Sequence, residues 1–112
     1  MICKQFDVVV VPFPFVDSAK QKRRPALVLS ENGAFNDRIG HSVMAVITSD
    51  KNAPWPLDVP LINLDQAGLS AASVVRMKLF TLDHRFVMNV IGSLSPADQK
   101  AVQQSLRTLT NR

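Results

Sequence analysis

Apolar positions along the chain fall into short runs separated by turn-forming or charged residues, the pattern of a mainly β domain. Residues 6–13 contain four consecutive valines and predict a central strand that stops at Pro12-Phe13-Pro14-Phe15. Residues 16–24 are polar and basic and predict a loop, from which Pro25 leads into a second strand over residues 25–30. Asn32-Gly33 and residues 36–40 are turn material. Residues 42–48, with Val43, Met44, Ala45, Val46 and Ile47, predict a third strand ending on Thr48-Ser49-Asp50. Pro54, Pro56 and Pro60 surround Trp55 and predict an irregular connection into an interrupted edge strand reaching Leu64. Residues 65–73 read as a turn or a short helical excursion. Beyond them Val75, Met77 and Leu79 alternate with Arg76 and Lys78, which places two cations on one exposed face. Residues 86–94 form a further strand, with Gly92 as a bulge or close-approach point. Ser95-Pro96-Ala97-Asp98 opens a helix, with Ser95 as N-cap, Pro96 at the first helical position and Asp98 completing a capping box. Val102, Leu106 and Leu109 share one side of that helix, which runs to about Thr110. Five or six strands and a terminal helix predict one α+β domain over residues 1–112, a strongly bent antiparallel sheet approaching a small barrel.

Composition narrows the class. At 112 residues, 46% hydrophobic and 20% charged, the chain suits one domain with a real core and shows no disordered composition. The net charge of +4 favours a polyanionic partner, and it is local: Lys20, Lys22, Arg23 and Arg24 occupy four of five consecutive positions. Cys3 is the only cysteine, so no internal disulfide forms, and no paired Cys/His spacing suggests a metal. The longest apolar run, residues 8–15, is too short to span a bilayer and lacks a signal-peptide pattern. These features predict a cytoplasmic protein without a metal or cofactor.

The candidate chemistry is cationic and hydroxylic. No Gly-rich phosphate loop, nucleophile elbow or two-metal carboxylate cluster is present. His41 and His84 are isolated in sequence and read more simply as loop histidines than as general bases. Pro25 restricts the backbone of Arg24, so its guanidinium fork is delivered beside a rigid strand. Arg24, Thr48 and Ser49 at strand ends, with Arg76 and Lys78 on a later strand, form a set able to hold a phosphodiester without a metal. Trp55 either anchors its loop on the core or stacks a nucleobase. Lys20, Lys22 and Arg23 are candidate phosphate contacts.

Five ordered blocks carry a resemblance. Asp7-Val8-Val9-Val10-Val11-Pro12-Phe13-Pro14-Phe15, Arg24-Pro25-Ala26-Leu27-Val28-Leu29-Ser30, Ile47-Thr48-Ser49, Ser73-Val74-Val75-Arg76-Met77-Lys78-Leu79-Phe80-Thr81-Leu82-Asp83 and Gly92-Ser93-Leu94-Ser95 resemble the MazF/PemK toxin family over nearly the whole chain. The resemblance implies an SH3-like barrel, a homodimer and a cognate antitoxin. It also implies metal-independent cleavage of single-stranded RNA at short motifs, in which the 2′-hydroxyl attacks the adjacent phosphate and leaves a 2′,3′-cyclic phosphate and a 5′-hydroxyl. Carried over residue by residue, Arg24 would neutralise the phosphate and Thr48 would hold or protonate the scissile group. Many members have an acidic residue followed by glutamine where this chain has Met77-Lys78, so a carboxylate general base is missing there. Two other readings remain open: a CcdB-like poison of DNA gyrase, and a catalytically inert RNA-binding barrel. The first would be expected to use a Trp-Gly-Ile-type tail, whereas this chain ends Leu109-Thr110-Asn111-Arg112.

Overall fold

The computed structural model describes residues 3–13 and 22–111. Its frame is one six-stranded sheet of β1 (Asp7–Phe13), β2 (Lys22–Val28), β3 (His41–Ser49), β4 (Val59–Pro60), β5 (Ser73–Asp83) and β6 (Asn89–Ser93), in the order β4-β5-β3-β2-β1-β6. Every neighbouring pair is antiparallel. The sheet curls into a half-barrel, and a C-terminal helix completes it. Among the described residues there are three α-helical segments, α1 (Asp37–Ile39), α2 (Leu64–Ala67) and α3 (Pro96–Leu109).

Period-two alternation splits the core between the two faces of the sheet. Val8, Leu27, Ala45, Ile47 and Val75 meet Leu94 and Val102 of the α3 region on one face. Val9, Val11, Ala26, Val28 and Met44 line the other, joined by Leu82 and Val87. The valine run of β1 thus feeds both cores, and each fully buried valine contributes about 2 kcal/mol of transfer free energy. Such a strand belongs at the centre of a two-sided sheet.

The structure departs from the sequence expectations where long-range pairing overrides local composition. The basic stretch is strand rather than loop from Lys22 onward, because β1 supplies a ladder for it: Val11↔Arg24, Pro12↔Arg23 and Phe13↔Lys22. The predicted turns after β2 are helical. Glu31 accepts hydrogen bonds from Gly33 N at 3.1 Å and Ala34 N at 2.6 Å, which starts a π-helical turn over Asn32–Asn36 that continues into α1. The edge strand is only Val59–Pro60, with one further bond to β5 beyond it, from Leu61 N to Ser73 O at 3.0 Å. A 3-10 turn at His84–Phe86, capped by Asp83, delays β6 to Asn89.

Two expectations hold in sharper form. Gly92 is a close-approach point: a Cβ there would lie 2.4 Å from the Ala67 carbonyl carbon and the Gln66 oxygen, so only glycine lets β6 touch α2. Ser95 caps α3 by accepting from Asp98 N at 3.3 Å. The Asp98 carboxylate, however, does not serve the predicted box. Fully buried, it accepts from Ile62 N and Asn63 N, both at 3.0 Å, and so pins α3 to the connection between β4 and α2. Val102 is buried, Leu106 packs at the core margin and Leu109 is exposed.

Candidate active site

A proline opens the site. Leu29 N donates to Val43 O at 2.8 Å, so by alternation the N–H groups of Leu27 and of position 25 also face β3. Pro25 has no N–H to give. The β2–β3 pairing accordingly ends at Ala26↔Val46, although β2 extends back to Lys22 and β3 onward to Ser49. Beyond that pair the two strands part over a cleft of ≈ 240 Å³. Val11, Ala26, Val46 and Phe80 lie at its apolar end.

Arg24 and Thr48 face each other across the opening. Continuing the β2–β3 register two residues past its last pair sets them opposite, and both line the cleft. Arg24 lines the cleft together with Phe13, and its side chain forms no hydrogen bond or ion pair among the described residues. Its guanidinium is therefore available to an anion. The Thr48 hydroxyl accepts a hydrogen bond from Asn52 Nδ2 at 2.6 Å. Asn52 is held in turn by a tight bend, in which its N–H donates to Ser49 O at 3.2 Å and Lys51 N donates to Ser49 Oγ at 3.2 Å.

Arg76 and Lys78 share this face of the sheet but do different things. Arg76 is only 8% exposed, which corrects the expectation that both cations stand in solvent. The loop before β4 folds over it. Arg76 Nε donates to Asp58 Oδ1 at 3.1 Å, and its Nη2 donates to Asp58 Oδ2 at 3.0 Å and to Ala53 O at 2.9 Å. Asp58 also accepts from Trp55 N at 2.9 Å, and its carboxyl is held below the usual carboxylate range chiefly by the Arg76 hydrogen bonds. The Arg76 guanidinium lies 5.1 Å from the Trp55 ring centroid, so Trp55 rests on a cation rather than on the core. Lys78 is exposed, with Nζ 5.3 Å from the Phe13 ring and 5.9 Å from the Trp55 ring. Among the described residues lining the cleft there is no carboxylate or imidazole.

Alternation sorts the remaining basic positions. Lys22 shares the face of Arg24, whereas Arg23 turns to the opposite one. Ser49 likewise turns away from Thr48, while Lys20 lies outside the described residues. His41 and His84 belong to the far end of β3, about 23 Å from Thr48 along the strand. There Ser42 Oγ and His84 Nε2 are hydrogen-bonded at 2.6 Å, and burial pushes the His84 pKa down. Cys3 is fully buried beside them, its thiol pKa raised by the same cause.

Sequence reasoning missed Asn52, Asp58 and Phe13 as parts of the site. For Asn52 a signal existed, a Thr-x-x-x-Asn spacing across a polar turn. Asp58 carried none, because its partner lies eighteen residues downstream.

A helix-backed half-barrel whose other face opens into a cationic, hydroxyl-bearing cleft defines a class of small β-barrel protein with an anion-competent site. The family model described as PemK-like, MazF-like toxin of type II toxin–antitoxin system matches residues 4–110, and the chain belongs to that family. The fold agrees with solved structures. One is a MazE–MazF complex from Deinococcus radiodurans, at 25% identity and TM-score 0.73, covering 98% of this chain and 96% of that one. Another is a mycobacterial endoribonuclease in complex with its cognate antitoxin, at 18% identity and TM-score 0.75, covering 98% and 94%. A third is the Mycobacterium tuberculosis toxin MazF-mt6, at 20% identity and TM-score 0.73, covering 94% and 96%. No significant match to a curated protein sequence was found.

Proposed function

We propose that the chain is the toxin of a type II toxin–antitoxin pair and acts as a metal-independent endoribonuclease on single-stranded RNA in the cytoplasm. The observation that carries this reading is the meeting of Arg24 and Thr48 across one cleft, the two residues to which the family resemblance gives the chemistry. The substrate 2′-oxygen attacks phosphorus and gives up its proton to solvent, the bond to the 5′-oxygen breaks, and that oxygen takes up a proton from solvent. Negative charge gathers on the non-bridging oxygens, where the Arg24 guanidinium neutralises it, and Thr48 donates a hydrogen bond to the phosphate or its leaving oxygen. The products are a 2′,3′-cyclic phosphate and a 5′-hydroxyl. Charge stabilisation and positioning are the catalytic contributions that Arg24 and Thr48 supply. Lys22 and Lys78 contact flanking phosphates, and Trp55 with Phe13 offers ring faces to bases. A cognate antitoxin with an acidic segment would cover the cleft, and the working form is a homodimer. Both follow the family and the antitoxin-bound relatives.

The test is a long single-stranded RNA incubated with the purified protein and a chelator, followed by mapping of the ends. Discrete cuts with 5′-hydroxyl termini, reduced about 10²- to 10³-fold in Arg24→Ala, support the proposal. Binding without cuts would establish the inert barrel instead, and inhibited gyrase supercoiling with intact RNA would establish the poison.

A further inference from the structure

Asn52 was absent from the set of candidate residues, yet it makes the one hydrogen bond to the Thr48 side chain among the described residues. A threonine hydroxyl has one proton and two lone pairs, and its rotor is free unless something fixes it. Asn52 Nδ2 donates to Thr48 Oγ1 at 2.6 Å, which occupies one lone pair. The bend holding Asn52 is itself secured: Asp50 N donates to Ala72 O and Asn52 N to Ser49 O, both at 3.2 Å. Thr48 continues a regular strand, paired with Val74 of β5. Both ends of the contact therefore stand on a rigid backbone, while Asn52 also lines the cleft.

We infer that Asn52 is a positioning residue that turns Thr48 into a dedicated hydrogen-bond donor, aiming its hydroxyl hydrogen across the cleft towards the phosphate that Arg24 binds. This rests on the cleavage reading above. An amide donor on Oγ withdraws electron density from the hydroxyl, which strengthens its own donation, and it removes the orientation in which Thr48 would point its proton at residue 52. The polarity of the contact matters more than its presence. An acceptor at position 52 would take the Thr48 proton and leave only lone pairs facing an anionic phosphate.

Asn52→Asp tests this, because the carboxylate has nearly the same shape and the opposite hydrogen-bonding sense, and the same exchange in a Thr48→Val background, where no hydroxyl is left to turn, reads the effect of its added charge alone. At pH 7.5 we expect kcat for RNA cleavage to fall on the order of 10²-fold with KM changed about twofold or less. As the pH drops towards an aspartate's ordinary range near ~4, the protonated carboxyl regains a donor, so the ratio of Asn52→Asp to native activity should climb about tenfold or more. Asn52→Ala, which merely frees the rotor, should lose about tenfold with no such pH trend. Asn52 is exposed, and unchanged melting temperatures in both variants would separate these effects from unfolding.

An Asp variant as active as the native protein, or one whose deficit is pH-independent and equal to that of the Ala variant, would overturn the inference. The hydrogen bond is also read without RNA, from the Asn52 side-chain amide proton shift and its loss in Thr48→Val. A shift indifferent to Thr48→Val overturns the geometry. Intact RNA with a Thr48-dependent shift overturns the cleavage reading and the role with it, leaving the hydrogen bond itself standing.

Discussion

The two ends of β3 pose a controlled comparison. Each carries a hydroxyl on the same face of the strand, and each hydroxyl lies 2.6 Å from a side-chain nitrogen, Ser42 with His84 at one end and Thr48 with Asn52 at the other. By residue type the first pair looks the more reactive. Yet Ser42 is fully buried beside Cys3, whereas Thr48 lines a cleft with Arg24. The serine–histidine end is a part-buried contact, and the threonine–asparagine end opens on the cleft that Arg24, Arg76 and Lys78 line. What separates a structural hydroxyl from a chemical one here is the parting of two strands, which the missing N–H of Pro25 brings about.

Substitutions at the two hydroxyls should give opposite outcomes. Thr48→Val should lower RNA cleavage by about 10²-fold or more while denaturant unfolding stays near that of the native chain. Ser42→Ala should do the reverse, losing about 1–2 kcal/mol in urea unfolding through an unmade buried hydrogen bond, with cleavage per folded molecule unchanged. Equal effects on both assays at both sites would erase the distinction.

Acid separates the ends further. Burial, the largest cause, holds the His84 pKa below its ordinary 6.5, so the unfolded chain takes up that proton first. Stability from this end is intact above pH 6.5 and falls as the pH drops from there through the folded-state pKa. A melting curve measured from pH 7.5 to 5 should show the decline, and His84→Gln should remove it. Asp83 does not share that window. Hydrogen bonds from Arg85 bring its pKa to about 2, so its contribution is kept until the pH falls from 3.8 towards that value.

The smallest effect concerns the flanking charges. Lys22→Ala should weaken RNA binding and reduce the slope of log affinity against log salt by about 0.7, one phosphate contact on a single strand. Arg23→Ala, on the opposite sheet face, should leave the slope alone. An equal drop in both would mean that the RNA wraps the sheet edge rather than following the cleft.

Much of the frame could be read from local pattern. The valine run of β1, the Ser95 cap and the glycine at 92 each depend on neighbours in sequence, and each holds in the structure, whereas in β5 Arg76 is buried and Leu79 exposed against the expected alternation. Arg24 and Thr48 were legible as candidates because Pro25 fixes the backbone beside the one and a polar turn follows the other. What local pattern could not carry was the pairing of polar groups across loops. Asp58 buries Arg76, and Asp98 pins α3 through Ile62 and Asn63, contacts set by the folded path of the chain and not by spacing. The helical turns at 32–39 escaped for a related reason, since Asn-Gly signals a bend and only the Glu31 cap converts it to a helix.

The pairing of β3 with β5 jumps from Val46↔Arg76 to Ala45↔Leu79, leaving Met77 and Lys78 without partners in β3. Two is an even number, so the excursion leaves the inside–outside order of the strand intact on either side of it. Lys78 of that pair lines the cleft while Met77 packs against the core margin, so one excursion of the strand serves cleft and core from adjacent residues.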